Sequence, residues 1–126
     1  MAKYKVVKTA EVENFSKNGE MRMMRDALGS DQVAISYRKF PAGFKSAHGH
    51  THSTMDEVIF VIKGTITMKL DDDIIKVGPY TSVMIPPEVK RGYRNETDED
   101  VELIVASARG SIVEDNGGTP DENWWE

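Results

Sequence analysis

The chain is punctuated too often for long helices. Nine short runs rich in apolar and β-branched residues, at 4–7, 21–27, 33–40, 57–63, 65–70, 73–77, 81–85, 92–95 and 101–107, alternate with turn-forming segments. The separators are Asn18 with Gly19, the stretch 41–43, Gly64, the three aspartates 71–73, Gly78 with Pro79, and 95–100. Glycine supplies positive φ, proline presets φ, and asparagine and aspartate bond their own backbone, so each is a turn for its own reason. Short strands at this spacing predict an all-β sandwich or barrel. Segment 11–17 is expected to hold at most one helical turn.

Alternation assigns faces. Along 65–70, Ile66, Met68 and Leu70 are expected in the core, with Thr65, Thr67 and Lys69 toward water. Strand 58–62 is apolar on both sides, as strands covered on both faces are. If Glu57 points into a barrel, so do Ile59 and Val61, while Val58, Phe60 and Ile62 point out. A small single barrel leaves that outer side wet, so a homodimer is expected.

At 126 residues the chain is one domain with a single core. The barrel core is placed at about 30–110 and a tail at 111–126. Hydrophobic content of 39% with 29% charged residues is ordinary for a soluble protein. A net charge of −5 with no basic patch interleaved with aromatics argues against nucleic acid. The absence of cysteine excludes disulfides and thiolate metal sites. No run is long enough to span a membrane, and the N-terminal residues lack an apolar signal region. A cytoplasmic location is expected.

All three histidines, His48, His50 and His52, fall within five positions just ahead of strand 57–63. Residues two apart on a strand share a face, so His50 and His52 project together. With Glu57 they make two imidazoles and a carboxylate, the donor set of an open transition-metal site. The implied cofactor is a divalent transition metal, Zn, Fe, Ni or Mn. A metal-free pocket with polar walls is the other reading of the same residues. His48 and His52 lie about 13 Å apart on a straight strand at roughly 3.3 Å per residue, so His48 is expected at the pocket mouth as a ligand-binding candidate, and reaches the metal only if the chain bends at Gly49.

His50, His52, Glu57 and Gly64, at these spacings and with Gly43 ahead of them, resemble the first conserved motif of the cupins. The stretch from Gly78 through Pro86 and Pro87 to Arg91, Tyr93 and Asn95 resembles the second. The resemblance runs from about Gly43 to Ala108. It implies a double-stranded β-helix, the jelly-roll cupin barrel, with His50, His52 and Glu57 as metal ligands. Two positions depart from the pattern. Glu88 stands where the family has a glycine, and Arg91 stands where it has its last metal-binding histidine. More narrowly, the chain is similar to a group of short single-domain bacterial cupins. That likeness rests on Leu28, Gly29, Tyr37, Gly49, His50, His52, Leu70, Asp71, Asp72, Ile74, the Pro86–Pro87 pair and the closing Trp124 and Trp125. It implies that Arg91 is a feature of the group.

A guanidinium has no lone pair for a metal and stays protonated. Inside the barrel, Arg91 would repel a dication, pair with Glu57, or fork onto the carboxylate or phosphate of a ligand. Turned outward, it would leave the three metal ligands alone. Tyr93 shares its strand parity and is the other ligand-binding candidate, and Asn95 shares it too. Tyr37 and Arg38 lie on opposite faces of one strand, and the sequence leaves open which lines the pocket. The methionines at 21, 23 and 24 are expected in core or interface. The aspartates 71–73 lack the glycine and distal glutamate of a calcium loop and are expected to be a solvated hairpin turn. The two C-terminal tryptophans are expected to dock on the barrel or on a partner subunit. No catalytic serine or cysteine arrangement can be assembled.

The expected function is small-molecule binding in a barrel pocket holding His50, His52, Glu57 and Arg91, with an anionic ligand suited to the arginine. The rival is a metal-dependent enzyme, a dioxygenase or another cupin activity of the isomerase or decarboxylase class. The third reading is a non-catalytic structural module.

Overall fold

The computed structural model describes residues 3–46, 55–108 and 125. Among them, eight strands form two antiparallel sheets. The five-stranded sheet runs in the order β1 (Glu20–Met23), β2 (Val33–Phe40), β8 (Val101–Ala108), β3 (Glu57–Lys63) and β6 (Ser82–Ile85). The three-stranded sheet is β5 (Asp73–Val77), β4 (Ile66–Leu70) and β7 (Arg91–Arg94). Strand β8 inserts between β2 and β3, so strands far apart in sequence pair, and the two sheets close as a double-stranded β-helix.

Most strands fall where apolar runs met turn residues. The aspartates 71–73 make the β4–β5 hairpin, with Leu70 paired to Asp73 and Asp71 at a φ of 52°. Two expected strands are corrected. The run 21–27 ends as a strand at Met23, because Met24 turns into the αR region and a short helix, α1 (Arg25–Leu28), follows. Arginine, alanine and leucine favour helix, and Gly29, with φ 65°, closes it in a left-handed cap. The run 4–7 forms no strand, and Tyr4 and Val6 stand exposed. A 3₁₀ turn occupies Thr9–Glu11, slightly ahead of the expected place.

Gly64 explains why a glycine closes the first motif. Its φ is 81°, and a Cβ there would come within 2.8 Å of the Asp100 carbonyl oxygen. Only a residue without a side chain lets the β3–β4 turn pass so close to the start of β8.

The interior is graded along its length. Ile59, Val61, Ile66, Met68, Val101 and Leu103 are at most 1% exposed and fill the barrel. Strand β3 points Glu57, Ile59 and Val61 inward and Val58, Phe60 and Ile62 outward, as alternation predicts. Thr67, expected to face water, is instead buried. Its hydroxyl donates to Glu96, and that hydrogen bond holds the Glu96 carboxyl below its usual range.

Part of the outer face of the five-stranded sheet stays apolar. The register lines up Ile35, Ala106, Val58 and Met84 in one row across four strands. Val58 is 39% and Met84 57% exposed, and Tyr80 leans on Phe60 with ring centroids 6.2 Å apart. Trp125 docks on the barrel, its indole N–H donating to the Ser46 carbonyl at 3.2 Å while the Arg94 guanidinium lies 4.6 Å over its ring. Trp124 lies outside the described residues.

Candidate functional site

Strands β3 and β7 belong to different sheets and each begins with a charged residue turned into the barrel. Glu57 opens β3 and Arg91 opens β7; they are 6% and 0% exposed. Arg91 Nη1 lies 3.4 Å from Glu57 Oε1, and the Tyr93 hydroxyl donates to the same oxygen at 3.1 Å. Burial pushes the Tyr93 phenol well above its ordinary pKa, with the Glu57 charge adding to it, so it stays protonated and remains a donor.

The rest of the Arg91 guanidinium is occupied by backbone. Nη2 donates to the carbonyls of Pro86 at 2.7 Å and Val89 at 2.9 Å, and Nε to Val89 at 3.2 Å. Turning back on itself, the segment before β7 presents these carbonyls, and proline contributes an acceptor without needing a donor in return. A buried charge persists only when paired and hydrogen-bonded. Arg91 has both.

Strand β2 resolves the choice between Tyr37 and Arg38. Tyr37 faces outward, its hydroxyl donating to Glu102 Oε1 at 2.5 Å, and burial together with that bond raises its pKa. Arg38 shares the inward face with Ala34, Ser36 and Phe40, all buried, and its register partner is Leu103. Its charge acts on the Tyr93 hydroxyl, opposing the rise caused by burial. Asn95 is inward and buried but serves the fold. Its amide donates to the carbonyls of Phe40 and Glu99 at 3.0 and 2.6 Å, and its oxygen accepts from Thr97.

Glu57, Arg91 and Tyr93 therefore meet at one point, whereas His48, His50 and His52 lie outside the described residues. Among the described residues no group of three or more His, Cys, Asp or Glu side chains could hold a metal. Glu57 fits a carboxylate ligand in type and burial, with two imidazoles as its sequence companions. Arg91, 3.4 Å away, stands against any dication there. Residue parity alone could have named Arg38 and Ser36, had the inner face of β2 been known. A separate cleft of about 550 Å³, lined by Val6, Val12, Phe15, Met23 and Arg25 among others, shares no lining residue with the Glu57 cluster.

The model of the Cupin_2 family, the cupin domain, matches residues 36–107, more than half of the chain. The chain belongs to this family. Solved cupin-like structures agree with its fold. A cupin protein from Bacteroides fragilis is 18% identical, with a TM-score of 0.74 over 86% of each chain. A structure from Silicibacter pomeroyi described as a sugar phosphate isomerase of the cupin superfamily is also 18% identical, with a TM-score of 0.71 over 83% of this chain and 76% of its own. The polyketide cyclase RemF from Streptomyces resistomycificus is 14% identical, with a TM-score of 0.75 over 97% of this chain and 87% of its own. No curated protein sequence matches the chain. At these identities the likeness concerns the fold. Among the described residues of this cupin, no helix is long and apolar enough to cross a membrane.

Proposed function

We propose that this cupin binds a small molecule in the barrel, against the Glu57–Tyr93–Arg91 cluster. The observation that carries the reading is the convergence of a carboxylate, a phenol and a guanidinium inside a largely apolar barrel. A few placed polar groups in apolar walls are what a ligand pocket needs. Cupin-fold neighbours described as a sugar phosphate isomerase and a polyketide cyclase support a small organic ligand. The proposed assembly is a cytoplasmic homodimer of a single-domain chain, its subunits joined through the apolar outer row of β2, β8, β3 and β6.

A second reading rests on the inward, buried carboxylate of Glu57. Here His50, His52 and Glu57 hold zinc, iron, nickel or manganese, and the cupin is a metal-dependent enzyme of the dioxygenase, isomerase or decarboxylase class. The metal would supply Lewis acidity, while Tyr93 and Arg91 orient the carboxylate. Both readings propose His48 as a ligand-binding residue at the mouth.

Elemental analysis of protein purified without an affinity tag, followed by native mass spectrometry, separates the two. A retained small molecule without stoichiometric metal is the expected result. Stoichiometric metal supports the second reading, and an empty barrel that no small molecule enters overturns the first.

A further inference from the structure

Arg91 has its acceptors already, but the Nε of a second guanidinium in the same barrel has none among the described residues. Arg38 is partly buried on the inward face of β2, and its Nε is occluded from solvent with no hydrogen-bond partner. The other occluded Nε without a hydrogen bond, that of Arg94, lies 3.2 Å from a Glu96 oxygen and beneath Trp125. Among the described residues Arg38 makes no such ion pair, and its register partners are Met21 and Leu103. A buried N–H left unsatisfied costs about 1–3 kcal/mol, more when the group is charged. A buried donor of this kind calls for a partner from outside the chain, water or a ligand.

Charge points the same way. Among the described residues turned into this end of the barrel, Arg38 and Arg91 carry two positive charges and Glu57 one negative. One positive charge is left over, in a chain whose net charge is −5. The excess belongs to Arg38, because Arg91 pairs with Glu57. Two positions along β2, Ser36 brings a hydroxyl to the same face, buried to 6% exposure. The two terminal nitrogens of a guanidinium receive the two oxygens of a carboxylate or phosphate as a fork, and a neighbouring hydroxyl supplies a further donor.

We propose that Arg38, assisted by Ser36, anchors the acidic group of the ligand, which makes that ligand an organic acid or a phosphate ester. This rests on the small-molecule reading above and narrows it to oxyanions. Glu57 and Tyr93 then face the remainder of the molecule, and the Arg91 fork stays with the protein.

The test follows the Nε–H signal of Arg38 by NMR in protein carrying isotope-labelled arginine. Loss of the signal in Arg38→Gln assigns it, and Arg38→Lys assigns it again if the glutamine variant folds poorly. Succinate, inorganic phosphate and neutral glucose are titrated separately at constant ionic strength. Saturable shifts of this signal with succinate or phosphate, but not glucose, are expected, and the backbone amide resonances of the barrel strands, which the variants keep, are expected to report an affinity at least tenfold weaker in the lysine or glutamine variant. The tighter of the two anions distinguishes carboxylate from phosphate. Equal affinity in wild type and variants overturns the role of Arg38 while leaving a small-molecule pocket in place. Binding of glucose alone does the same. If none of the three perturbs any barrel resonance, the oxyanion proposal falls, and the retained-ligand measurement decides the pocket separately.

Discussion

Tyr93 donates its hydroxyl hydrogen to Glu57 at 3.1 Å across the interior, tying the three-stranded sheet to the five-stranded one. The bond ends on the same carboxylate oxygen that faces Arg91. Stability and chemistry at this point are therefore coupled, and variants of the cluster separate them.

Removing Arg91 leaves the Glu57 carboxylate buried beside fewer donors. Arg91→Leu is expected to lower unfolding free energy by about 3–5 kcal/mol, the usual cost of breaking one side of a buried pair. Glu57→Gln combined with Arg91→Leu should lose less than Arg91→Leu alone, because no unpaired carboxylate remains. Urea unfolding of wild type, Glu57→Gln, Arg91→Leu and the double variant measures the coupling. Strict additivity would show that the two side chains do not share an interaction.

Alkaline pH should unfold the protein through its tyrosines. Tyr93 and Tyr37 both have raised pKa values, each chiefly through burial, with Glu57 and Glu102 adding to the effect. Below about pH 10, the ordinary tyrosine value, folded and unfolded chains both hold these protons and stability is unaffected. Above it, the unfolded chain releases protons that the folded chain keeps, so stability falls as pH rises. Thermal melts of wild type and Tyr93→Phe from neutral to alkaline pH check this. The variant should show the shallower decline, and parallel curves would contradict the protonated, buried phenol.

If Arg91 occupies the place of a metal ligand, Arg91→His adds an imidazole and removes a positive charge beside Glu57. Affinity for Zn(II) or Ni(II) is expected to rise at least tenfold, about 1.4 kcal/mol, and His50→Ala in the same background should erase the gain. Competition with a chromogenic chelator at constant pH reads both. An unchanged affinity in Arg91→His would separate Glu57 from any metal site built with His50 and His52.

The outer row of Ile35, Ala106, Val58 and Met84 should be the dimer surface. Light scattering at micromolar concentration is expected to give twice the chain's 14.1 kDa. Val58→Lys with Met84→Glu should return it to one chain without loss of β-sheet signal in circular dichroism. A monomeric wild type would sink the idea.

Much of the fold was legible because covalent geometry enforces it. Strand β3 must alternate, so once Glu57 was placed inside, Ile59 and Val61 followed. Gly64 was legible as a turn, although its near contact with Asp100 was not, since that neighbour arrives from the other end of the domain. Strand β2 shows the limit. Val33, Ile35 and Tyr37 make its more apolar face, yet that face is the outer one, and the barrel takes Ala34, Ser36, Arg38 and Phe40. Hydrophobic alternation reports two faces and does not say which neighbour each will meet. The run 21–27 misled as well, since Met24 turns into a helix although β2 extends past it and its own amide still bonds the Ile35 carbonyl.

The sequence by itself determined that the chain is an all-β cupin barrel with Glu57, Arg91 and Tyr93 as candidate pocket residues. Spacing, parity and turn chemistry are properties of the covalent chain, and they survive without any knowledge of long-range contacts. The state of each charged group was decided only in three dimensions. Arg91 is committed to Glu57 and to the carbonyls of Pro86 and Val89, while Arg38 carries an occluded Nε without a hydrogen-bond partner. Two arginines look alike in a sequence. What separates them is whether folding brings acceptors within about 3 Å of their donors, and those acceptors come from segments the strand itself does not encode.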